Sequence, residues 1–354
     1  MNQKVYISHN LVEDLRKECD GRAANGVFIL VDENTRKLCL PALLNDEFFS
    51  KVTVIEIKAN DDHKTLESLA SVWTALQKGG ATRKSLMINL GGGMVTDLGG
   101  FAASTFKRGM EYVNVPTTLL GAVDAAVGGK TGINFGGLKN EIGVINSSKS
   151  VLINADFFRT LDAENLRSGY AEMIKHGLIS ESKIWNDTIS FDLDNIDFNR
   201  LSELLLESIS VKEKVVAIDP TEKGLRKILN FGHTVGHAFE SYAMEIGDAK
   251  LHGYAVAWGM ISELYLSYKL LGFPKEILST AVRMIKENYG ALPIKCDVYD
   301  HLYDLMTHDK KNEGDGRILF SLLKNIGETE INVAVSKKDI LDSLDFYRET
   351  VGLA

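Results

Sequence analysis

His233 and His237 stand one helical turn apart in Asn230-Phe231-Gly232-His233-Thr234-Val235-Gly236-His237, with His252 following in Leu251-His252-Gly253 and Glu172 upstream. Imidazoles with one carboxylate are the ligands that catalytic zinc and related divalent ions take. At i and i+4 the first two rings share a helix face, so spacing alone makes both His233 and His237 ligands. The ordinary alternative for either is a hydrogen-bonded core or capping histidine. Glu172 and Lys175 also share a face, and such a pair is usually a solvated ion pair. Here the apolar neighbours Ala171, Met173 and Ile174 point to a more enclosed helix.

A second chemistry is written at Gly91-Gly92-Gly93-Met94-Val95-Thr96-Asp97, between an apolar run and a helical pattern. Glycine lets backbone amides approach a phosphate, and the following helix presents its positive end. The run is not the G-x-G-x-x-G fingerprint, and a tight turn with no room for side chains explains it as well. Asp32, ending an earlier apolar run, suits a ribose hydroxyl or a helix cap, and Asn34 fits either part. A divalent metal and a dinucleotide in one chain point to redox chemistry at a hydroxyl-bearing carbon.

The elements that must hold these groups change character along the chain. Residues 26–32, 52–57, 85–90, 112–116 and 150–153 read as short buried strands, and 65–79 as a helix. This alternation predicts a parallel sheet covered by helices, a Rossmann-like α/β domain carrying the dinucleotide turn. Beyond it lie long amphipathic segments at 162–180, 199–218, 231–246, 252–271 and 275–289, predicting a mostly α-helical metal-binding domain. At 354 residues the chain exceeds the roughly 250–300 at which single cores stop growing. The expected domains are 1–158 and 159–354, with a cleft between them.

Composition narrows the classes. A formal charge of −8 disfavours a nucleic-acid binder. No apolar stretch approaches the roughly 20 residues that span a bilayer, and Met1 to Asn10 lacks the pattern of a signal peptide. Cys19, Cys39 and Cys296 have no paired spacing and read as reduced structural residues. A cytoplasmic enzyme without nucleic-acid or membrane partners is expected.

With these motifs in place, the chain resembles the family of 3-dehydroquinate synthases. The resemblance is carried by Gly91 to Gly109, by Val115-Pro116-Thr117-Thr118-Leu119-Leu120, and by Val123-Asp124-Ala125-Ala126-Val127-Gly128-Gly129-Lys130-Thr131-Gly132. It resumes at Lys139-Asn140, Glu172 with Lys175, Glu222-x-Gly224-Leu225-Arg226, Asn230-Phe231-Gly232-His233, His252-Gly253 and Asp309-Lys310-Lys311. It implies conversion of 3-deoxy-D-arabino-heptulosonate 7-phosphate to 3-dehydroquinate and phosphate, the second shikimate-pathway step. The implied route is transient NAD-dependent oxidation, phosphate elimination, re-reduction and intramolecular aldol closure.

The resemblance implies Glu172, His233 and His252 as ligands of Zn2+ or Co2+, with His237 turned to substrate, against the reading from spacing alone. It implies Lys130, Lys139, Lys175, Lys212, Arg226 and Lys310 as substrate- or cofactor-contacting cations. Asp124, Asn140, Glu222 and Asn230 are implied as polar groups around substrate. Gly92, Gly93, Met94, Asp97, Thr117, Thr118, Phe157 and Thr160 join Asp32 and Asn34 as the expected cofactor wall. Arg108 matches a phosphate ligand contributed by a neighbouring subunit, which implies a homodimer.

Departures from the family pattern are Asn60-Asp61-Asp62-His63-Lys64 in place of Gly-Glu-x-x-Lys, Tyr254 in place of glutamate, Ala125-Ala126 in place of serines, and Leu138 in place of glycine. They leave the ribose contacts of Asp61 and Lys64 as weaker expectations. Competing readings are a sibling cyclase of amino-dehydroquinate or inosose type, a metal-dependent polyol dehydrogenase, and a non-catalytic homologue.

Overall fold

In a computed structural model, residues 3–136, 138–307 and 318–352 are described. They form two compact units, one of residues 1–162 with 197–209, the other of 163–196 with 210–354.

The first unit carries strands β1 Lys4–Ile7, β2 Val27–Asp32, β3 Thr53–Ile57, β4 Leu86–Gly91, β5 Glu111–Pro116, β6 Lys130–Phe135, β7 Leu138–Ile145 and β8 Ser150–Ile153. Its helices are α1 Leu11–Glu18, α2 Glu33–Leu38, α3 Pro41–Leu44, α4 Leu66–Lys78 and α5 Gly93–Thr105. Six strands make one parallel sheet in the order β1-β8-β5-β4-β2-β3. Strand β2 is apolar from Val27 to Val31 because both faces are covered. Val27, Ile29 and Val31 join one core with Leu11, Leu15, Leu86 and Ile88. Phe28 and Leu30 join another with Leu69, Val72, Met87 and Leu98. Continuous apolar strands are what a doubly covered parallel sheet requires.

The chain runs from β2 outward to β3, then returns to β4 on the other side of β2. That reversal is a topological switch point, where open α/β sheets bind ligands beyond the carboxyl ends of their strands. Asp32 ends β2 and Gly91 ends β4. The expected α/β fold is therefore present, with an addition: β6 and β7 form a separate antiparallel pair.

The second unit contains α6 Ala163–Leu178, α7 Ser182–Ile189, α9 His233–Glu245, α10 His252–Leu271, α11 Lys275–Tyr289, α12 Tyr299–Thr307 and α13 Lys337–Val351. The intervening α8 Phe198–Ile218 belongs partly to each unit. A single boundary after residue 158 thus becomes one after 162, with 197–209 returned to the first unit. Arg159 lies 4.4 Å over the Phe198 ring, which ties the start of α8 there. Helix α10 is buried on nearly every side between Gly253 and Ser267, so it is the unit's central rod. The antiparallel strands β9 Leu319–Asn325 and β10 Glu328–Ala334 add a small sheet to a unit expected as mostly helical.

Candidate metal centre and cofactor turn

Helix α9 begins at His233 and α10 at His252, so both imidazoles project from first helical turns. Glycines let the helices meet closely. A Cβ on Gly259 would lie 2.2 Å from the Gly232 carbonyl oxygen, and one on Gly253 would lie 1.9 Å from that of Ser168 on α6. The fully buried Glu263 of α10 accepts the Gly232 and Val235 amides at 2.6 and 3.1 Å, satisfying donors at the start of α9.

The three rings of His233, His237 and His252 gather so that one nitrogen of each lies within 4.8 Å of the others. Glu172, on α6, approaches two of these rings from another side. Its Oε1 is 3.4 Å from His233 Nε2 and 3.7 Å from His252 Nε2. These separations are long for hydrogen bonds. Zinc ligands at about 2.0–2.2 Å in a tetrahedron stand roughly 3.3–3.6 Å apart. Glu172 is completely buried, and while Lys175 pairs with its Oε2, its Oε1 has no hydrogen-bond partner. A buried carboxylate left this way is costly, and a divalent cation is the partner that fits the donor set.

The remaining geometry prepares the ligands. Lys175 Nζ forms an ion pair with Glu172 Oε2, and both side chains are buried. The enclosed helix implied by the apolar neighbours is thus present. Burial opposes ionisation of Glu172, but Lys175 and His233 outweigh it and hold the carboxyl well below its usual range. His233 Nδ1 lies 3.1 Å from the Phe231 carbonyl, and His252 Nδ1 lies 3.0 Å from Glu240 Oε2. Burial disfavours a charged His252, yet Glu240 and Glu172 push its pKa up to about 10. A metal ion binding there would have to displace that proton.

Around this centre, the Asn230 amide donates to Glu222 Oε1 at 2.8 Å. Arg226 and Lys212 are buried, and Arg226 Nη1 donates to the Pro220 carbonyl at 2.8 Å. Asp219 organises this turn by accepting the Lys223, Gly224 and Arg226 amides. Tyr254 packs edge-on against Trp258 and Tyr289, which makes that departure from the family pattern a packing residue. The Lys310 expectation, with Asp309 and Lys311, lies outside the described residues.

In the first unit Gly92 caps α5 with no side chain bonded to the helix start. A Cβ on Gly92 would sit 3.0 Å from Thr118, and Gly121 packs against the Gly93 amide so closely that its own Cβ would lie 3.2 Å from that nitrogen. Thr117 donates its amide to the Gly91 carbonyl at 3.0 Å. Gly92, Gly93, Met94 and Asp97 remain partly accessible. The turn is therefore packed tightly on one side and open on the other, as a phosphate-bearing ligand requires.

Asp32 is the cap of α2: its Oδ1 accepts the Asn34 and Thr35 amides, both at 2.8 Å, and the Thr35 hydroxyl at 3.1 Å. The capping alternative is thus realised, and all three bonds fall on one oxygen. Burial pushes the thiol of the buried Cys39 up to about 11, against the pull of the Thr160 and Thr117 side chains beside it. Thr160 also bonds the Phe157 carbonyl at 2.7 Å. The structure thus gathers Asp32, Thr117, Phe157 and Thr160 along one wall.

Lys64 is buried, and its ammonium lies 2.5 Å from both Asp97 Oδ2 and Asn140 Oδ1. Burial raises the Asp97 carboxyl while Lys64 pulls it back. Asn134 accepts the Asn140 amide at 2.9 Å and donates to the Asp61 carbonyl at 3.0 Å. This network ties the β6–β7 hairpin to the Asp61–Lys64 segment. Lys139 and Asp61 are half exposed and 3.9 Å apart. Lys130 begins β6, Leu138 begins β7, and Asp124 sits on a wide helical turn at Gly121–Ala125. Arg108 is exposed, and Lys107, Arg108 and Gly109 all have positive φ. Residue spacing gave no sign of Glu240 or Glu263, because a helical glutamate reads as a solvated side chain.

The family descriptions 3-dehydroquinate synthase N-terminal and 3-dehydroquinate synthase C-terminal match residues 54–168 and 169–312. A 3-dehydroquinate synthase of Parabacteroides distasonis is 53% identical over 351 residues, covering 99% of each chain. Among solved structures, 2-epi-5-epi-valiolone synthase from Streptomyces hygroscopicus, with NAD+ and Zn2+ bound, is 25% identical with a TM-score of 0.81. That alignment covers 99% of this chain and 97% of the other. The fold is also that of a 2-deoxy-scyllo-inosose synthase solved with carbaglucose-6-phosphate, NAD+ and Co2+, at 22% identity, TM-score 0.83, and 98% and 96% coverage.

Proposed function

The chain belongs to the 3-dehydroquinate synthase family, and we propose that it uses Glu172, His233 and His252 to hold Zn2+ or Co2+ and the Gly91–Gly93 turn to hold NAD. With these it converts 3-deoxy-D-arabino-heptulosonate 7-phosphate to 3-dehydroquinate and phosphate. The observation that carries the reading is Glu172 Oε1, a sealed carboxylate oxygen without a hydrogen bond, 3.4 and 3.7 Å from two imidazole nitrogens. When bound, the metal supplies Lewis-acid polarisation of a substrate hydroxyl, and NAD takes up and returns one hydride without net change.

The chain's own groups do the rest. Lys175 keeps Glu172 ionised. His237, its ring centroid 5.4 Å from that of His233, holds or passes a proton at a substrate oxygen. Asn230 and Glu222, bonded to each other at 2.8 Å, orient substrate hydroxyls with Asp124 and Asn140. A substrate with a carboxylate and a phosphate, on a chain of net charge −8, demands local positive charge; Lys130, Lys139, Lys212, Arg226 and Lys310 supply it. Asp32, Asn34, Asp61, Lys64, Gly92, Gly93, Met94, Asp97, Thr117, Thr118, Phe157 and Thr160 form the cofactor wall.

We further propose a homodimer in which Arg108 serves the neighbouring subunit's phosphate. Strand β7 is exposed along its whole length, and the hairpin presents Phe135, Leu138, Ile142, Val144 and Ile145. An exposed apolar edge strand invites pairing with another chain. Arg108→Ala is expected to weaken phosphate-bearing substrate more than NAD in titration calorimetry; equal losses would count against this role. Cytoplasmic residence is proposed from the three free cysteines; among the described residues, no helix is long and apolar enough to cross a membrane.

The decisive assay is inorganic phosphate release from the seven-carbon keto-acid phosphate. Release is expected with catalytic NAD, without NADH accumulation, and stopped by a chelator. Stoichiometric NADH would instead indicate a polyol dehydrogenase. Turnover of a hexose phosphate in place of the seven-carbon acid would indicate a sibling cyclase.

A further inference from the structure

We propose that Glu240 is a positioning residue of the metal centre, acting through His252. This rests on the reading of Glu172, His233 and His252 as ligands. Glu240 lies two turns beyond His233 on the same face of α9. It is 8% exposed, and its Oε2 is 3.0 Å from His252 Nδ1. Burying a carboxylate is expensive unless it is paired or hydrogen-bonded, so its aim at one imidazole nitrogen calls for a reason.

The reason is the choice of nitrogen. An ionised carboxylate only accepts hydrogen bonds, so Glu240 demands that His252 carry its proton on Nδ1. The lone pair of the neutral ring is then on Nε2, the atom that faces Glu172 Oε1 at 3.7 Å. Without the acceptor, the ring is free to take the other tautomer, which puts a proton where the cation belongs. It also loses the contact that fixes its rotation. His233 receives the same treatment from the Phe231 carbonyl at 3.1 Å. One ligand is thus oriented by backbone, which substitution cannot remove, and the other by a side chain, which it can.

The test is chelator competition on the zinc-loaded protein for Glu240→Met, Glu240→Gln and His252→Ala. Glu240→Met preserves volume but accepts no hydrogen bond, and is expected to weaken zinc retention by about 10–100-fold. Glu240→Gln keeps an amide oxygen for Nδ1–H and is expected to recover most of that loss. The visible spectrum of the cobalt-substituted protein should shift in Glu240→Met and not in Glu240→Gln, a change that a packing role would not produce. Wild-type zinc retention in Glu240→Met, or equal losses in both variants, would overturn the proposal. If Glu240→Met does not fold, the imidazole 15N resonances of the zinc-loaded wild type decide. Metal on Nε2 with a proton on Nδ1 supports the proposal, and metal on Nδ1 refutes it. His252→Ala separates the two levels: stoichiometric zinc in that variant defeats the ligand reading itself. Loss of zinc there, with retention in Glu240→Met, defeats only the role of Glu240.

Discussion

The histidine centre of the second unit is made of side chains sealed among helices, whereas the glycine turn of the first is made of backbone left open on one side. Glu172 is fully buried, and His252 has its ring set by a neighbouring carboxylate. At the turn, by contrast, the start of α5 has no side-chain cap, and Gly92, Gly93 and Met94 are partly accessible. The contrast suits the two ligands proposed for these regions. A small cation selects by donor type and separation, so its donors must be held before it arrives. A dinucleotide is long, and its phosphates need amides and clearance more than fixed side chains.

The comparison breaks most sharply at Gly253. Gly253→Val would drive a Cβ into the Ser168 carbonyl, 1.9 Å away, with an expected cost of about 3 kcal/mol, the upper end of overpacking effects. Zinc content and urea unfolding should both fall; unchanged zinc would show that the helix crossing does not set the centre. Next in size is Asp97→Asn, which leaves the buried Lys64 ammonium without its carboxylate. Removing one partner of such a pair costs about 3 kcal/mol when burial is complete, and somewhat less here because Asp97 keeps 18% side-chain exposure. NAD affinity measured by fluorescence quenching should drop while metal content holds; parallel loss of metal would erase the distinction between the two regions. Smallest is Asp32→Asn. Asparagine caps a helix as well as aspartate does, so stability should stay within about 0.5 kcal/mol. Several-fold weaker NAD binding would mark the ribose contact, and unchanged binding would leave Asp32 a cap alone.

Much of this was legible in the residues. The buried strands announced themselves as apolar runs, and the segments 252–271 and 275–289 form helices over the same bounds. The β6–β7 hairpin escaped because β7 has no buried face, so period-two alternation had nothing to record. The small β9–β10 sheet escaped likewise, since β10 has no fully buried residue. Of the metal centre, His233, His237 and His252 were visible by type and spacing. Glu240 and Glu263 were not, since only the crossing of α9 over α10 turns a helical glutamate toward an imidazole or a helix start.

The glycines at these crossings bear on which ions the centre admits. Because backbone touches backbone at Gly253 and Gly259, no long side chain there can yield to widen the cradle. On the proposed ligand set, ionic radius is then expected to become a criterion of selection beside ligand chemistry, because a cation larger than zinc or cobalt would have to push whole helices apart.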